Sequence, residues 1–560
     1  MATVTVVVSH KGKKYDVEVD PESTGEIFKS QLYSLTGVLP ERQKVLLKGG
    51  QLKDDTPMSK YNFKPGQSIM MLGQSGEGDR NVLDRPKEPV KFVEDMTEAE
   101  AAQQEGAIPA GLTNLGNTCY LNSTLQTLRA MPELQNALVK YEPQSASATG
   151  TLPQLDLVRQ LRDLYKYMSE TQEAYVPHAF LAALRGAFPQ FAERSRTGHG
   201  FAQQDAEEAW SQIVTQLRQK LRVKETPEST ESAFIDKYMS GEFSSVLECD
   251  EPAAKEGGEE PIISSEGFLK LNCHIDGNTN HLRDGIAKGL SEKLEKRSEV
   301  LGRDAVYTKT SKIARLPKYM TVHFVRFFWK RETQKKAKIM RKVTFPHELD
   351  VVEFCDDKLK KLLVPVRDKV REIQKDEEDI ERSRKRRKRN REGDDDDIAG
   401  GKGDVKDGNA KKDEKKAGTS ADGDVEMTET YKTDAEIDAE RDAALLAAKK
   451  ELHALIDPEL VKDDGANQSG LYELRGVVTH QGASADSGHY TSYVKKAAPV
   501  DPKTGKRKEE DGKWWWFNDD KVSEVTSDKI EALAGGGESH SALILLYRAI
   551  PLPSADGTTE

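Results

Sequence analysis

Between Gly111 and Gln126 the chain changes character within one residue, and this junction constrains the fold more than any other stretch. Gly111 to Thr118 holds two glycines, two asparagines and two threonines in eight residues, which is turn chemistry. From Cys119 onward Leu121, Leu125 and Leu128 recur at i, i+4 and i+7, the spacing of one buried helix face. Cys119 therefore stands where a tight loop opens a helix. That end carries unpaired N–H groups and the positive end of the helix dipole, and both favour a thiolate. A lone cysteine is more often a small buried hydrophobe. A nucleophilic role needs a histidine from elsewhere in the chain.

Composition narrows the remaining classes. The 560 residues are too many for one core, so two or more domains are expected. Lys and Arg number 84 against 95 Asp and Glu, a net charge of −11, which argues against a nucleic-acid partner overall. Charged residues at 32% against 36% hydrophobic point to some highly charged, unstructured sequence. The four cysteines (Cys119, Cys249, Cys273 and Cys355) include no C-x-x-C pair, so neither a zinc ribbon nor a disulfide framework is indicated. A reducing compartment is expected. There is no apolar signal core at the start and no apolar run near the ~18 residues of a membrane span. The expectation is a cytoplasmic and nuclear protein with no metal or cofactor.

Residues 1–73 read as one small domain. Thr3–Val8 and Tyr15–Val19 are strands around a turn at His10–Lys13. Asp20–Thr24 opens a helix carrying Ile27, Phe28, Leu32 and Leu35. Lys44–Leu47 and Ser68–Leu72 complete a ββαββ order that fits a β-grasp. Residues 74–105 are a polar linker. Residues 106–549 regain globular composition, with amphipathic helices at Leu152–Met168 and around Phe180–Phe188, and Phe201–Trp210 leads into another carrying Ile213, Val214 and Leu217. Strands are expected at 233–275, Leu316–Phe328 and Val343–Pro346. Residues 368–440 interrupt this domain. Arg382–Arg391 holds eight basic residues in ten, and Asp394–Asp397 follows. No core can be built from such sequence, so it reads as a disordered charged insertion, with nuclear import or an acidic partner as possible uses of the basic cluster. Ala435–Leu455 reads as a helix at the re-entry point. Leu471–His480, His489–Val494, Lys513–Val522 and Leu543–Arg548 are strands, and residues 550–560 are a tail.

Two of these strands carry the missing chemistry. His489 opens one after a Gly/Ser loop, and Asn518 ends another behind four aromatics. Adjacent antiparallel strands could bring them together. Thiolate, imidazole and an orienting amide are the trio of a cysteine protease. Asn114, five residues before Cys119, could offer its amide to the oxyanion of the tetrahedral intermediate.

Two resemblances sharpen this reading. Leu39-Pro-Glu-Arg-Gln-Lys-Val-Leu-Leu-Lys-Gly-Gly-Gln-Leu-Lys-Asp54 resembles the ubiquitin family. The domain runs into Gly73-Gln-Ser-Gly-Glu-Gly instead of a free Arg-Gly-Gly tail, so the resemblance implies a fixed docking module. Leu46 and Leu72 match the apolar patch through which ubiquitin meets partners, although both could equally be core strand residues. Gly111-Leu-Thr-Asn-Leu-Gly-Asn-Thr-Cys-Tyr-Leu-Asn is similar to the Cys box of the ubiquitin-specific proteases. Gln203-Gln-Asp-Ala-Glu-Glu208, Leu316-Pro…Arg326-Phe, Val343-Thr-Phe-Pro and Gly488-His-Tyr…Phe517-Asn-Asp-Asp follow in that family's order.

This resemblance implies an α+β architecture: a β-grasp ubiquitin-like domain, then a papain-like ubiquitin-specific protease domain of fingers, palm and thumb. It implies Cys119 as nucleophile, His489 as general base and acid, Asn518 as the residue orienting His489 with Asp519 second, and Asn114 on the oxyanion. It implies Gln203, Asp205, Ser484, Ser487 and Tyr490 as ubiquitin contacts, with Tyr490 lining a channel that admits only Gly-Gly. The first domain narrows the match to the proteasome-associated branch. The implied partners are the 26S proteasome regulatory particle, through residues 1–73, and ubiquitin conjugates. Trp329–Lys338 and Gln481–Gly488 match the loops that cover the tail channel. The sequence departs from the family at its finger zinc site, where Cys249 and Cys273 stand alone and read as buried thiols, as does Cys355. A silent ubiquitin-binding regulator and a general papain-like peptidase are the competing classes.

Overall fold

The alternation of Val4–His10 and Lys13–Val19 becomes an antiparallel pair in the computed structural model, with Val6, Val8, Val17 and Val19 all turned to one core. The structure describes residues 4–47, 50–73, 96–102, 106–143, 155–195, 200–224, 231–331, 335–398, 434–484, 487–498 and 510–555. The chain divides into two units, Met1–Met96 and Thr97–Glu560. The linker expected at 74–105 falls mostly outside the described residues.

In the first unit the sheet order is Lys13–Val19, Val4–His10, Ser68–Leu72, Lys44–Leu47, Gly50–Gln51, with the first and last long strands parallel. The helix Gly25–Thr36 packs Phe28 and Leu32 on this sheet. Ile27 and Leu35, expected on the same face, are about half exposed, so the apolar stripe is narrower than the spacing predicts. Gly37 ends the helix at φ +68°, a left-handed cap open to glycine at no steric cost. Leu46 and Leu72 are exposed, as is Met70, which pairs directly with Leu46. The surface reading of these residues is therefore the one the fold adopts.

The second unit is built around a sheet whose central path runs Leu271–His274, Tyr319–Val325, Ser541–Ala549, Leu471–Ser484, Ser487–Lys495, Trp514–Asn518, Lys521–Val525. Continuous apolar runs such as Leu543–Leu546 are buried on both faces. One face packs on the helices Cys119–Arg129, Pro132–Val139, Leu157–Met168, His178–Ala187 and Ala206–Lys220. The other packs on Leu282–Gly289 and the segments Leu349–Leu363 and Ile530–Leu533. A separate antiparallel sheet, Ser291–Arg297, Asp304–Arg315, Gly241–Cys249, Ile262–Phe268, forms an arm. Cys249 is buried there with Ala254, Ala305 and Tyr307 in a small apolar cluster, and Cys273 and Cys355 are also buried.

The charged segment begins as helix rather than coil. Asp357–Ile398 is one helix and Asp434–Leu455 another, while residues 399–433 lie outside the described residues. Val366, Val370 and Ile373 pack on Leu452, Ile456 and Leu471 at the base. Further out the pair is joined by charge, Arg384 to Asp442 and Arg387 to Asp438. Among the described residues no helix is long and apolar enough to cross a membrane.

Candidate active site

The site starts with the helix Cys119–Arg129. The spacing of its leucines predicts one buried face, but every residue from Cys119 to Leu128 is buried. Its polar side chains bond to backbone: Thr124 to Tyr120 O, Thr127 to Ser123 O and Gln126 to Ala110 O, at 2.8, 3.0 and 2.9 Å. A half-polar helix can therefore run through the core without orphaned hydroxyls.

The loop before it is shaped by Asn114. Its Oδ1 accepts from the N–H of Gly116 at 2.9 Å and of Thr118 at 3.3 Å, which folds the loop over the left-handed residues Gly116 and Asn117. Its Nδ2 donates to Asp519 Oδ2 at 2.9 Å. Asn122, one turn into the helix, donates Nδ2 to Asp519 Oδ1 at 2.8 Å. The N–H of Leu112 donates to the carbonyl of Asp519 at 2.9 Å. Asp519 thus gathers three donors from the loop and helix that carry Cys119, and it does so with a left-handed φ of +52°. Gly111 lies against the same turn. A Cβ there would stand 2.6 Å from the carbonyl oxygen of Asp520 and 2.8 Å from that of Asp519. Gly111→Ala is therefore expected to cost about 2 kcal/mol or more. A thermal melt of the full chain checks this, and an unchanged Tm would contradict the close approach.

His489 lies on Ser487–Lys495, opposite Gln481 in the neighbouring strand. The next strand pairs Phe517 with Ser492, so Asn518, one residue on, lies diagonally across from His489. His489 Nε2 and Asn518 Oδ1 are 2.6 Å apart. An amide oxygen only accepts, so Nε2 carries the proton and Nδ1 is left with its lone pair. Cys119, His489, Asn518, Asp519 and Asn114 are thus drawn into one site.

The thiol behaves differently from the sequence expectation. Cys119 is only 3% exposed. Burial pushes its pKa up to about 11, the charge of Asp519 pushes the same way, and the backbone N–H groups of Tyr490, Tyr120 and Cys119 offset this only in part. The helix end favours the thiolate, but loss of water outweighs it in this arrangement. Among the described residues no hydrogen bond joins Cys119 to His489.

The expected ubiquitin contacts are distributed around this point. Asn117 Nδ2 donates to Phe201 O at 2.9 Å, tying the Cys119 loop to the segment that holds Gln203 and Asp205. Gln203 Nε2 is buried and has no hydrogen-bond partner among the described residues. Asp205 caps the helix Ala206–Lys220 by accepting from Glu207 N at 2.9 Å. Ser484 and Ser487 pair at the tip of the His489 hairpin, and Tyr490 is buried with its ring 4.6 Å from that of His480. The two segments expected to cover the channel meet where Ala337 pairs with Ser484, and at their base Phe327 sits edge-on to His480 and Lys338 Nζ donates to His480 O at 2.6 Å. Burial holds Lys338 down near about 8.

Sequence reasoning missed three parts of this region. Asn122 carried a signal, because a residue at i+3 shares the helix face of Cys119. Lys338 lay at the end of the segment Trp329–Lys338 expected to cover the channel, with nothing to show that it bonds His480, and His540 carried no signal. His540 reaches the site from the turn before Ser541–Ala549, and its ring centroid is 6.3 Å from that of His489.

Comparison with known proteins agrees with this geometry. Residues 110–547 match the family model described as ubiquitin carboxyl-terminal hydrolase, and residues 4–75 match the ubiquitin family. The chain is 41% identical over 546 residues to ubiquitin carboxyl-terminal hydrolase 6 of Schizosaccharomyces pombe, covering 98% of this chain and 99% of that protein. It is 37% identical to ubiquitin carboxyl-terminal hydrolase 6 of Arabidopsis thaliana, over 97% and 98% of the two chains. It is 30% identical to ubiquitin carboxyl-terminal hydrolase 14 of Caenorhabditis elegans, over 97% and 93%. With a family match across the whole unit that holds Cys119, His489 and Asn518, the chain belongs to the ubiquitin carboxyl-terminal hydrolases, cysteine-type deubiquitinases, and carries an N-terminal ubiquitin-like domain.

Proposed function

We propose that this enzyme removes ubiquitin from conjugates bound to the proteasome, cleaving after the C-terminal glycine of ubiquitin. The observation that carries the catalytic assignment is the 2.6 Å bond between His489 Nε2 and Asn518 Oδ1, next to a cysteine at a helix start. It leaves Nδ1 to take the thiol proton. Cys119 Sγ then attacks the glycine carbonyl carbon, and the carbonyl oxygen becomes an oxyanion. Asn114 spends one amide hydrogen on Asp519 and has a second to offer that oxyanion. On collapse the C–N bond breaks and His489 gives its proton to the leaving amine. The resulting thioester is hydrolysed by water, which passes a proton to His489, and the free carboxylate and thiol are restored. Gln203, Asp205, Ser484, Ser487 and Tyr490 hold the ubiquitin tail. A carboxylate suits that tail because it is basic.

Proteasome docking rests on the ubiquitin-like domain and its exposed Leu46, Met70 and Leu72. The buried thiol and the joined covering loops support a closed resting state that opens on docking. The enzyme acts in cytoplasm and nucleus, with the basic run Arg382–Arg391 as the import element.

A ubiquitin probe with a C-terminal vinyl electrophile tests the assignment on the full chain, with and without purified 26S proteasome. Labelling is expected in the wild type, greater with proteasome, and lost in Cys119→Ser. No labelling in either condition would refute the activity. Deleting residues 1–75 is expected to abolish co-purification with proteasome, and unchanged co-purification would refute the docking role.

A further inference from the structure

Residues 534–542 form a turn whose two ends are fixed by one buried cation. Arg326 is 1% exposed. It donates Nη2 to Ala534 O at 3.1 Å and Nε to Ala542 O at 2.9 Å. Gly535 folds over the same guanidinium at φ +91°. From this fixed base the turn makes two contacts with the hairpin Leu471–Lys495. The carbonyl of Glu538 accepts from Gly482 N at 2.9 Å, within the loop expected to cover the channel. Two residues on, His540 Nδ1 lies 3.1 Å from Thr479 Oγ1.

Thr479 joins His540 to the neighbouring strand: its Oγ1 also lies 2.8 Å from Thr491 Oγ1 and 3.2 Å from Thr491 O, so the His540 ring is tied through one hydroxyl to the strand that carries His489. The His540 ring stands edge-on to that of His489, at 73° between planes.

We infer that His540 is a positioning residue for His489, mounted on a turn that also docks the covering hairpin, so that movement of the hairpin at Gly482 is felt at the imidazole. The inference rests on the reading of His489 as general base. The ring of His540 limits how far His489 can rotate away from Asn518 and keeps water from its face. The charged or titratable groups around the pair are Glu538 on the turn, His480 on the neighbouring strand, Lys338 from the segment expected to cover the channel, and Asp519 and Cys119 of the catalytic loop and turn. Burial holds His540 down near about 4 and His480 near about 3, so at neutral pH neither competes with His489 for the proton.

The test compares wild type, His540→Ala and His540→Gln in the full chain. Glutamine can donate to or accept from Thr479 and fills much of the ring's space. With a ubiquitin C-terminal fluorogenic amide, alanine is expected to lower kcat about tenfold with KM within about twofold. The acid limb of its kcat/KM profile is expected to move by half a pH unit or more, and glutamine to recover most of kcat. A second readout needs no ubiquitin: the pH dependence of Cys119 alkylation by iodoacetamide should also change in His540→Ala. The inference is overturned if both pH profiles superimpose on wild type, or if kcat falls only in step with Tm and glutamine rescues nothing. Absence of amide hydrolysis in the wild type would count against the proposed activity, and the alkylation profile would still decide the role of His540.

Discussion

Replacing His489 with alanine should lower kcat/KM for hydrolysis of a ubiquitin C-terminal amide by at least about 10⁴-fold, with little change in Tm. Its Nδ1 lone pair is the base the mechanism assigns to the thiol proton. With its pKa pushed up to about 11, Cys119 supplies almost no thiolate of its own at neutral pH. Asn518→Ala should cost less, about 10- to 100-fold, because the imidazole remains and only its orientation is lost. Asp519 allows a sharper test, since it acts in opposite directions on the two steps. Its carboxylate holds Asn114 and Asn122, yet its charge raises the pKa of the thiol. Asp519→Asn removes the charge and turns one acceptor into a donor facing an amide NH₂. Iodoacetamide should therefore react faster with Cys119 at pH 8 while ubiquitin hydrolysis slows about 100-fold or more. Parallel changes in both rates would contradict the dual role, and more than 1% residual activity in His489→Ala would remove His489 from the mechanism.

Acidification should destabilise the catalytic unit well above the range where most carboxylates titrate. His480, His540 and His323 are held down to about 3, 4 and 4, in each case chiefly by burial. Unfolded, each binds a proton near pH 6.5. A base depressed in the folded state contributes its full stability above the unfolded value and loses it as pH falls below that value. The loss therefore opens just below pH 6.5 and continues toward pH 4 for His540 and His323 and toward pH 3 for His480. At pH 5 it amounts to about 2 kcal/mol per histidine, about 6 kcal/mol for the three together. All five tryptophans (Trp210, Trp329, Trp514, Trp515 and Trp516) lie in this unit, so urea unfolding followed by tryptophan fluorescence reports it alone. The midpoint should fall steeply between pH 7 and 5 in wild type and less in His540→Gln. A flat midpoint over that range would show that these imidazoles are solvated.

The helical pair Asp357–Ile398 and Asp434–Leu455 shows how far composition can be read. Eight basic residues in ten exclude a core around Arg382–Arg391, and the apolar packing described on this helix ends at Ile373. Helix does not need a core when a partner helix supplies charge, as Asp438 and Asp442 do for Arg387 and Arg384. The acidic residues that make the pairing possible lie more than 50 positions away in the chain. No local window contains them.

The sequence by itself determined the β-grasp of the first unit, the helix start at Cys119, and the strands that carry His489 and Asn518. Each follows from local spacing: period two in the strands, i, i+4, i+7 in the helix, glycine and asparagine in the turns. The tertiary structure alone decided what those residues meet. Asn114 and Asp519, 405 positions apart, share a hydrogen bond because the Gly111 turn and the Asn518 turn press together at a distance only glycine permits. The state of the thiol was decided the same way. A helix N-terminus favours the thiolate from sequence alone, but desolvation depends on everything packed around Sγ. Here burial and the charge of Asp519 outweigh the helix end, and the proton stays on Cys119.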